Sequence, residues 1–158
     1  MSGHSTGRID KPGFGLLIDR TKPMSFTFDG RLFNGYHGDT IASALYGAGQ
    51  VLLSRSFKYH RPRGALTMNG LDANTLVQVA DEPNVRADLH PISPGLAVKS
   101  INHLGSLERD AYSVMDYFSR FLPVGFYYKT FFRPAGIWKY FECPIRIMAG
   151  LGTLDPRA

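Results

Sequence analysis

The chain has 158 residues, of which 44% are hydrophobic and 20% are charged, and its formal net charge is +5 at pH 7. This composition is typical of a soluble globular protein of one ordinary domain, and no apolar run approaches the roughly 20 residues that span a bilayer. The single cysteine, Cys143, excludes an internal disulfide and any centre in which this chain supplies several thiolates, so we expect a reducing, cytoplasmic environment.

The first third of the sequence predicts an arm, a hairpin and a helix. Residues 1–21 are predicted to be an extended arm, because proline and glycine interrupt any longer element. Residues 24–28 alternate apolar and polar side chains, Asp29-Gly30 is a strong two-residue turn signal, and Leu32-Phe33 resume a strand. A helix should follow a cap at Asp39 or Thr40, with Gly49 just beyond its end. Its apolar stripe comprises Ile41, Ala44, Leu45 and Ala48.

The middle of the chain predicts a long loop and two more strands. The stretch SRSFKYHRPRG, residues 54–64, has no clear periodicity and is placed on the loop. Residues 75–79 and 85–89 are predicted strands. A hairpin, a short helix, a long loop and returning strands follow the element order of a β-grasp domain, which we assign to residues 22–103 in an α+β fold.

Residues 104–158 are predicted to form a helical and aromatic-rich docking extension. Residues 110–122 carry a helical apolar stripe that Pro123 ends. Residues 126–141 contain eight aromatic side chains, more apolar surface than a small β-grasp core readily covers. The tail either wraps its own domain or binds a partner chain. The partner-binding candidates are Tyr127, Tyr128, Phe131, Phe132 and Trp138.

The loop at residues 54–64 combines four cations and a histidine with two aromatic residues, and it contains no acid. Such a loop can be an ordinary solvated surface, a nucleic-acid patch or an interface aimed at anionic groups. Pro62 stiffens it and Gly64 lets the chain turn, which suits a defined acceptor. We therefore expect Lys58, Arg61 and Arg63 to contact partner carboxylates or cofactor phosphates, with internal ion pairs to acids such as Asp72 as the alternative.

Catalytic chemistry carried by this chain alone is not indicated. The five histidines are scattered without metal-ligand spacing, and no phosphate-binding glycine motif is present. Cys143 lies before Pro144 in the aromatic tail, where we expect a buried structural thiol. A plant-type ferredoxin carries C-x₄-C-x₂-C after the corresponding helix, whereas this loop has no cysteine. We therefore predict no catalytic residue, no metal site and no iron–sulfur cluster.

Several strings resemble the N-terminal region of the α subunit of heterotetrameric sarcosine oxidase and its relatives. They are PMSFTFDGRLFNGYHGDTIASALYGAG, SRSFKYHRPRG, EPNVRA, GFYYKTF and IRIMAGLG. The resemblance runs from about Gly7 to the end of the chain. It implies a cluster-free, ferredoxin-like domain in a complex that carries FAD, FMN and NAD and oxidises sarcosine. Related complexes act on proline, hydroxyproline or opines.

The resemblance also implies partners and a role. The partners would be a dinucleotide-binding subunit and a flavin-bearing β-type subunit. The chain would be either a separate, non-catalytic accessory subunit that assembles and walls their cofactor sites, which its start at Met1 favours, or an excised portion of a longer α subunit. A small basic nucleic-acid-binding module that uses residues 54–64 is the alternative function.

Overall fold

The computed structural model describes residues 7–9, 11, 13–57, 59–117 and 136–149, apart from the side chains of Met115 and of residues 145–149. The chain divides into two compact units. The first comprises Met1–Ser54 and Pro62–Ile101, and the second comprises Arg55–Arg61 and Asn102–Ala158. The loop predicted from the basic stretch therefore belongs largely to the second unit.

A five-stranded mixed sheet forms the centre of the first unit. The strand bounds are β1 Asp19–Phe28, β2 Arg31–His37, β5 Leu76–Val79, β6 Glu82–Arg86 and β7 Ala97–Lys99; β3 Ser54–Arg55 and β4 Pro62–Arg63 form a separate short pair. The sheet has the strand order β2-β1-β7-β5-β6, and β1 runs parallel to β7 while the other neighbouring strands are antiparallel. This topology confirms the β-grasp prediction.

The predicted hairpin is present and ends in the expected turn. Asp29 and Gly30 have φ values of 49° and 76°, as a two-residue turn with left-handed central residues requires. The Asp29 carboxylate also accepts hydrogen bonds from the backbone N–H and the hydroxyl of Ser100, at 2.8 and 2.6 Å. The turn is therefore tied to the chain just beyond β7.

The helix that the structure describes in the first unit, α1 Ile41–Gly47, begins and ends where the sequence predicts. Thr40 is the N-cap in a capping box with Ser43, and Gly49 has φ 83° just beyond the end. Ile41, Ala44 and Leu45 are fully buried, because they form the apolar stripe that packs on the sheet.

The N-terminal arm is less separate than the sequence suggests. Residues 19–21, which were assigned to the arm, already belong to β1. The Arg8 guanidinium donates to both oxygens of the fully buried Asp39 carboxylate, at 3.2 and 2.5 Å. Asp39 also accepts from the Tyr36 N–H and the Ser43 hydroxyl, so it links the arm to the start of α1.

Two element predictions need correction. The strand predicted at residues 85–89 is β6 Glu82–Arg86, because the chain turns directly after Arg86, whose carbonyl accepts from Leu89 and His90. The helix predicted at residues 110–122 is a 3₁₀ helix over Ala111–Asp116 in the described part of the chain, and residues 118–122 lie outside it. Within the extension that was predicted to be helical, a further α-helix, α2, spans Trp138–Ala149 and contains Pro144. No helix among the described residues is long and apolar enough to cross a membrane.

Phe26 should be the most sensitive single position of the sheet core. Its side chain is fully buried, and its ring centroid lies 6.2 Å from that of Phe33. Phe26→Ala should lower the free energy of unfolding by about 3–5 kcal/mol, because it leaves a cavity that the sheet cannot close. Leu32→Ala is the control on the same hairpin, since Leu32 is 70% exposed and should change stability by less than about 0.5 kcal/mol. Equal urea midpoints for the two variants would contradict this assignment of the core.

Candidate functional site

The two ends of the loop at residues 54–64 lie beside each other in the first unit. Gln50 Nε2 donates to the Leu52 carbonyl at 2.6 Å, and the Leu53 N–H donates to the Arg63 carbonyl at 2.9 Å. Leu53 itself is fully buried. The hydrogen bond between Leu53 and Arg63 therefore holds the two ends of the loop together, although the loop between them has little regular structure.

Arg55 is buried and binds backbone carbonyls, so it is not one of the surface cations of the loop. It is 8% exposed, and its guanidinium donates to the carbonyls of Leu107 at 2.7 Å, His60 at 2.7 Å and Glu108 at 3.0 Å. Its own carbonyl accepts from Asn102 Nδ2 at 3.1 Å. These bonds connect the loop to residues 102–108 of the second unit.

His60 and Asp110 form a buried pair beside Arg55. His60 Nδ1 lies 2.8 Å from Asp110 Oδ2 and 2.9 Å from the Asn102 carbonyl oxygen. Both neighbours are acceptors, so Nδ1 must carry the hydrogen. The His60 ring also lies 5.0 Å from the Tyr112 ring, and His60 is only 8% exposed. A carboxylate can orient a histidine for proton transfer, but a ring this buried gives a substrate little access, which favours a structural role.

The environment of Asp110 keeps its carboxyl ionised. Burial by itself raises the pKa of Asp110, but hydrogen bonds from the N–H groups of Leu104 and Tyr112, at 2.8 and 3.0 Å, and the His60 imidazole offset this effect. As a result the pKa of Asp110 lies below its ordinary value. At neutral pH the charged carboxylate of Asp110 thus stabilises the turn before the 3₁₀ helix and the loop together.

Arg61 forms an exposed ion pair within the second unit. Its Nε donates to Asp116 Oδ1 at 2.7 Å, and its guanidinium lies 4.7 Å from the centre of the Tyr59 ring. The side chains of Arg61 and Asp116 are 55% and 46% exposed. The internal ion pair considered from the sequence thus exists for Arg61, with Asp116 as its acid and not Asp72.

The other two predicted cations differ from each other. Arg63 is half-buried in the first unit, and its guanidinium donates to the side-chain oxygen of Asn74. Asn74 is neutral, so this contact leaves the charge of Arg63 available to an anion. Lys58 lies outside the described residues.

The aromatic candidates are described only in part. Tyr127, Tyr128, Phe131 and Phe132 lie outside the described residues, and Trp138 is half-buried at the start of α2. Tyr140 is 67% exposed on the same helix.

Cys143 is exposed on α2, so the expected buried thiol is wrong. Its aromatic neighbours in sequence suggested burial, but consecutive residues of a helix point in different directions.

The structure does not favour the nucleic-acid alternative. Of the described loop cations, Arg55 is buried and its guanidinium donates to backbone carbonyls, so its charge is not available to a polyanion. A patch that binds a polyanion needs cations on one open face. Sequence reasoning missed the buried pair of His60 and Asp110, because the two residues are 50 positions apart and no local pattern joins them.

Residues 21–103 match the family described as the 2Fe-2S iron–sulfur cluster binding domain, and this match covers more than half of the chain. The chain belongs to this family.

Two sarcosine oxidase alpha subunits from different bacteria are similar to the chain. Sarcosine oxidase subunit alpha of Rhizobium meliloti strain 1021 is 48% identical over 159 residues, which cover 98% of this chain and 16% of the relative. Sarcosine oxidase subunit alpha of Corynebacterium sp. strain P-1 is 31% identical over 98 residues, or 58% of this chain and 10% of the relative. These matches confirm the resemblance found in the sequence. The chain spans less than a fifth of the length of either relative.

Among solved structures, the crystal structure of L-proline dehydrogenase from P. horikoshii is similar to part of the chain. The sequence identity is 22% and the TM-score is 0.47, and the match covers 52% of this chain and 16% of that one.

The residues of this chain do not fit the cluster for which the family is named. A [2Fe–2S] centre takes four protein ligands, mostly thiolates, whereas residues 21–103 contain no cysteine and the whole chain contains one. Among the residues that the structure describes, no group of three or more His, Cys, Asp or Glu side chains could hold a metal ion. The loop that follows α1 contains the buried Arg55 and His60 and no cysteine.

Reconstitution with iron and sulfide should leave the protein colourless. The full chain, incubated anaerobically with both reagents and desalted, should retain well below one iron per chain and show no visible charge-transfer absorbance. The physical reason is the missing thiolates, because iron is not held in a cluster without them. A plant-type ferredoxin treated in parallel is the positive control. A stable brown protein with two irons and two sulfides per chain would contradict the prediction.

Proposed function

We propose that this chain is a non-catalytic accessory part of a sarcosine-oxidase-like, flavin-dependent amine oxidoreductase complex. The observation that carries the proposal is the 48% identity to a sarcosine oxidase subunit alpha over 98% of the chain. The substrate class is a secondary amine, oxidised at its CH–NH bond. The proposed place of action is the cytoplasm.

The chemistry belongs to cofactors that companion chains hold. FAD, FMN and NAD are the cofactors of the proposed assembly, and a flavin supplies the acceptor for the hydride removed from the amine. The companions are a dinucleotide-binding subunit and a flavin-bearing β-type subunit. This chain contributes shape and charge: its sheet is a rigid platform, and Lys58, Arg61 and Arg63 meet companion carboxylates or cofactor phosphates.

The contacts of Arg61 and Arg63 support this role energetically. An exposed ion pair such as Arg61–Asp116 is worth less than about 1 kcal/mol, so a better acceptor can displace Asp116 at little cost. Arg63 gives up only a neutral hydrogen bond. Arginine also binds carboxylates and phosphates in a bidentate manner, which fixes the orientation of whatever it contacts.

The aromatic residues of the extension form the second part of the proposed interface. Tyr, Trp and Phe are enriched in protein–protein interfaces. We assign Tyr127, Tyr128, Phe131, Phe132 and Trp138 to contacts with the dinucleotide-binding companion.

A segment exchange with the relative tests the proposal. The segment of the Rhizobium meliloti sarcosine oxidase subunit alpha that aligns with this chain is replaced by residues 1–158, and the chimera is expressed with the companion subunits of that enzyme. The chimera should assemble, retain its flavins and oxidise sarcosine within about tenfold of the parent. The unaltered enzyme and an alpha subunit that lacks the segment are the controls. An assembled chimera without activity would contradict a role in this class of enzyme.

A further inference from the structure

Two asparagines of the chain are each followed by glycine, in the pairs Asn34-Gly35 and Asn69-Gly70. In such a pair the backbone nitrogen of glycine can attack the asparagine amide carbon, because glycine has no side chain to hinder the approach. Both asparagines are exposed, and both side-chain oxygens accept a hydroxyl hydrogen bond, from Ser25 at 2.8 Å and from Thr67 at 2.6 Å. The two pairs therefore match in sequence, exposure and side-chain contact, and they differ in the backbone that carries them.

The peptide unit between Asn69 and Gly70 has room to rotate. In the described part of the chain, neither the Asn69 carbonyl nor the Gly70 N–H takes part in a hydrogen bond. The backbone is held at the two flanking groups: the Asn69 N–H donates to Thr67 Oγ1 at 3.4 Å, and the Gly70 carbonyl accepts from Arg86 Nη2 at 2.5 Å. Gly70 also has φ 80°, a conformation that glycine adopts without strain. The Gly70 nitrogen can therefore approach the Asn69 amide carbon without the loss of a backbone hydrogen bond.

The Asn34-Gly35 pair is locked in the sheet. Gly35 is buried and pairs with Met24 of β1 in the β1–β2 ladder. A Cβ atom added to Gly35 would lie 2.6 Å from Ile92 Cδ1 and 2.9 Å from Ala44 Cβ, so the backbone has no free space around it. Rotation of this peptide unit requires the strand to leave the sheet, which is a costly local unfolding.

We propose that Asn69 is a site of spontaneous deamidation in the folded protein, whereas Asn34 is protected. The Gly70 nitrogen, after losing its proton to hydroxide, attacks Asn69 Cγ; a new carbon–nitrogen bond forms, the bond to the side-chain nitrogen breaks, and ammonia leaves. Water then opens the resulting cyclic imide at one of its two carbonyls, which leaves aspartate or isoaspartate at position 69. The reaction consumes one water, releases one ammonia and transfers no electrons. It does not depend on the proposed function.

The product changes the loop at residues 65–72. The new carboxylate lowers the net charge by one and lies three residues before Asp72, which is buried and anchors the loop. Burial raises the pKa of Asp72, but the N–H groups of Asn74 and Leu66, each 2.6 Å away, bring that pKa below its ordinary value, so the anchor is itself an anion. Isoaspartate also adds one carbon to the main chain directly before Gly70. Deamidation therefore places a second negative charge in the loop and lengthens its backbone.

Peptide mass spectrometry on the aged full chain tests the proposal. The purified protein is incubated in mildly alkaline buffer and then digested under mildly acidic conditions, which suppress the reaction during preparation. Deamidation adds one mass unit, and fragment ions assign the gain to a residue, whereas isomerisation of Asp29, which also precedes a glycine, changes no mass. In the folded protein Asn69 should react about tenfold or more faster than Asn34. In guanidinium the two rates should agree within about twofold, because both asparagines precede glycine.

The ring-opened product and a control variant supply the second measurement. Asn69→Gln should lack the mass gain at position 69, because glutamine forms the larger ring much more slowly, and it should leave the rate at Asn34 unchanged. An isoaspartyl methyltransferase with labelled S-adenosylmethionine should mark position 69 of the aged wild type and not of the variant. Equal rates at Asn34 and Asn69 in the folded protein would overturn the proposal, as would a rate at Asn69 that folding lowers more than about tenfold relative to guanidinium. A mass gain at position 69 without isoaspartate would also overturn it, because direct hydrolysis of the amide gives aspartate alone.

Discussion

Asp110→Ala should destabilise the second unit more than any exposed acid of the chain. The side chain of Asp110 is fully buried, and its removal leaves the His60 Nδ1–H with one acceptor and the turn N–H groups of Leu104 and Tyr112 without their carboxylate. Removing a buried carboxylate in this way costs about 3–5 kcal/mol, because its hydrogen-bond donors and the buried Arg55, whose Nε lies 3.9 Å from Asp110 Oδ2, stay desolvated without it. This is a large share of the stability of a small domain.

Asp116→Ala is the matched control for this prediction. Asp116 also pairs with a cation of the loop, Arg61, but both side chains are about half exposed. Its loss should cost less than about 1 kcal/mol. Guanidinium unfolding of the full chain, together with limited proteolysis of residues 102–116, measures both variants. Equal stabilities for the two variants would show that the buried pair does not hold the loop in place.

Acid should weaken the same contact. The pKa of Asp110 is lower in the folded protein than its ordinary value of 3.8. The ionised carboxylate therefore contributes to the free energy of unfolding at pH values above 3.8, and this contribution is lost as the pH falls through the lower folded pKa. The wild-type melting temperature should therefore fall more steeply than that of Asp110→Ala between about pH 5 and pH 2. Asp72 contributes equally in both proteins and cancels in the difference. Parallel curves for the two proteins would contradict the lowered pKa.

Arg61→Ala/Arg63→Ala should separate assembly from folding. Arg61 makes an exposed ion pair and Arg63 a hydrogen bond to a neutral amide, so the isolated fold loses little from the two substitutions. In the native assembly we expect flavin content or companion binding to fall roughly tenfold or more, which corresponds to about 1.4 kcal/mol. Co-purification of the tagged chain and the flavin-to-protein absorbance ratio measure the two quantities.

Lys22→Ala/Lys99→Ala is the charge-matched control, because it also removes two positive charges but from exposed positions on β1 and β7. This control should retain flavin and companions. If assembly, flavin content and turnover all survive Arg61→Ala/Arg63→Ala, the loop is ordinary surface.

Local patterns were sufficient for much of the β-grasp unit. The turn at Asp29-Gly30 and the cap at Thr40 depend on residues next to each other in the sequence, and both were predictable. Strand β7 was not, because its parallel pairing of Thr27 with Ala97 joins residues far apart in the chain. The end of β6 was missed because the alternation of apolar residues continues past Arg86 although the backbone turns there.

Less of the candidate site than of the fold could be predicted from the sequence. The composition of residues 54–64 marked the loop, but it did not separate the buried Arg55 from the exposed Arg61, since that difference depends on carbonyls at Leu107 and Glu108. His60 looked like an isolated histidine because its acidic partner lies 50 residues away.

Isolation of the native assembly through a tag on this chain tests the central claim most directly. Partner masses and the visible spectrum are recorded on the same sample, and secondary amines are then added anaerobically. We predict two or more companion chains, flavin absorbance, and bleaching of that absorbance by sarcosine or a related amine. Recovery of the chain alone, with nucleic acid, or with companions that lack flavin would contradict the assignment to an amine oxidoreductase.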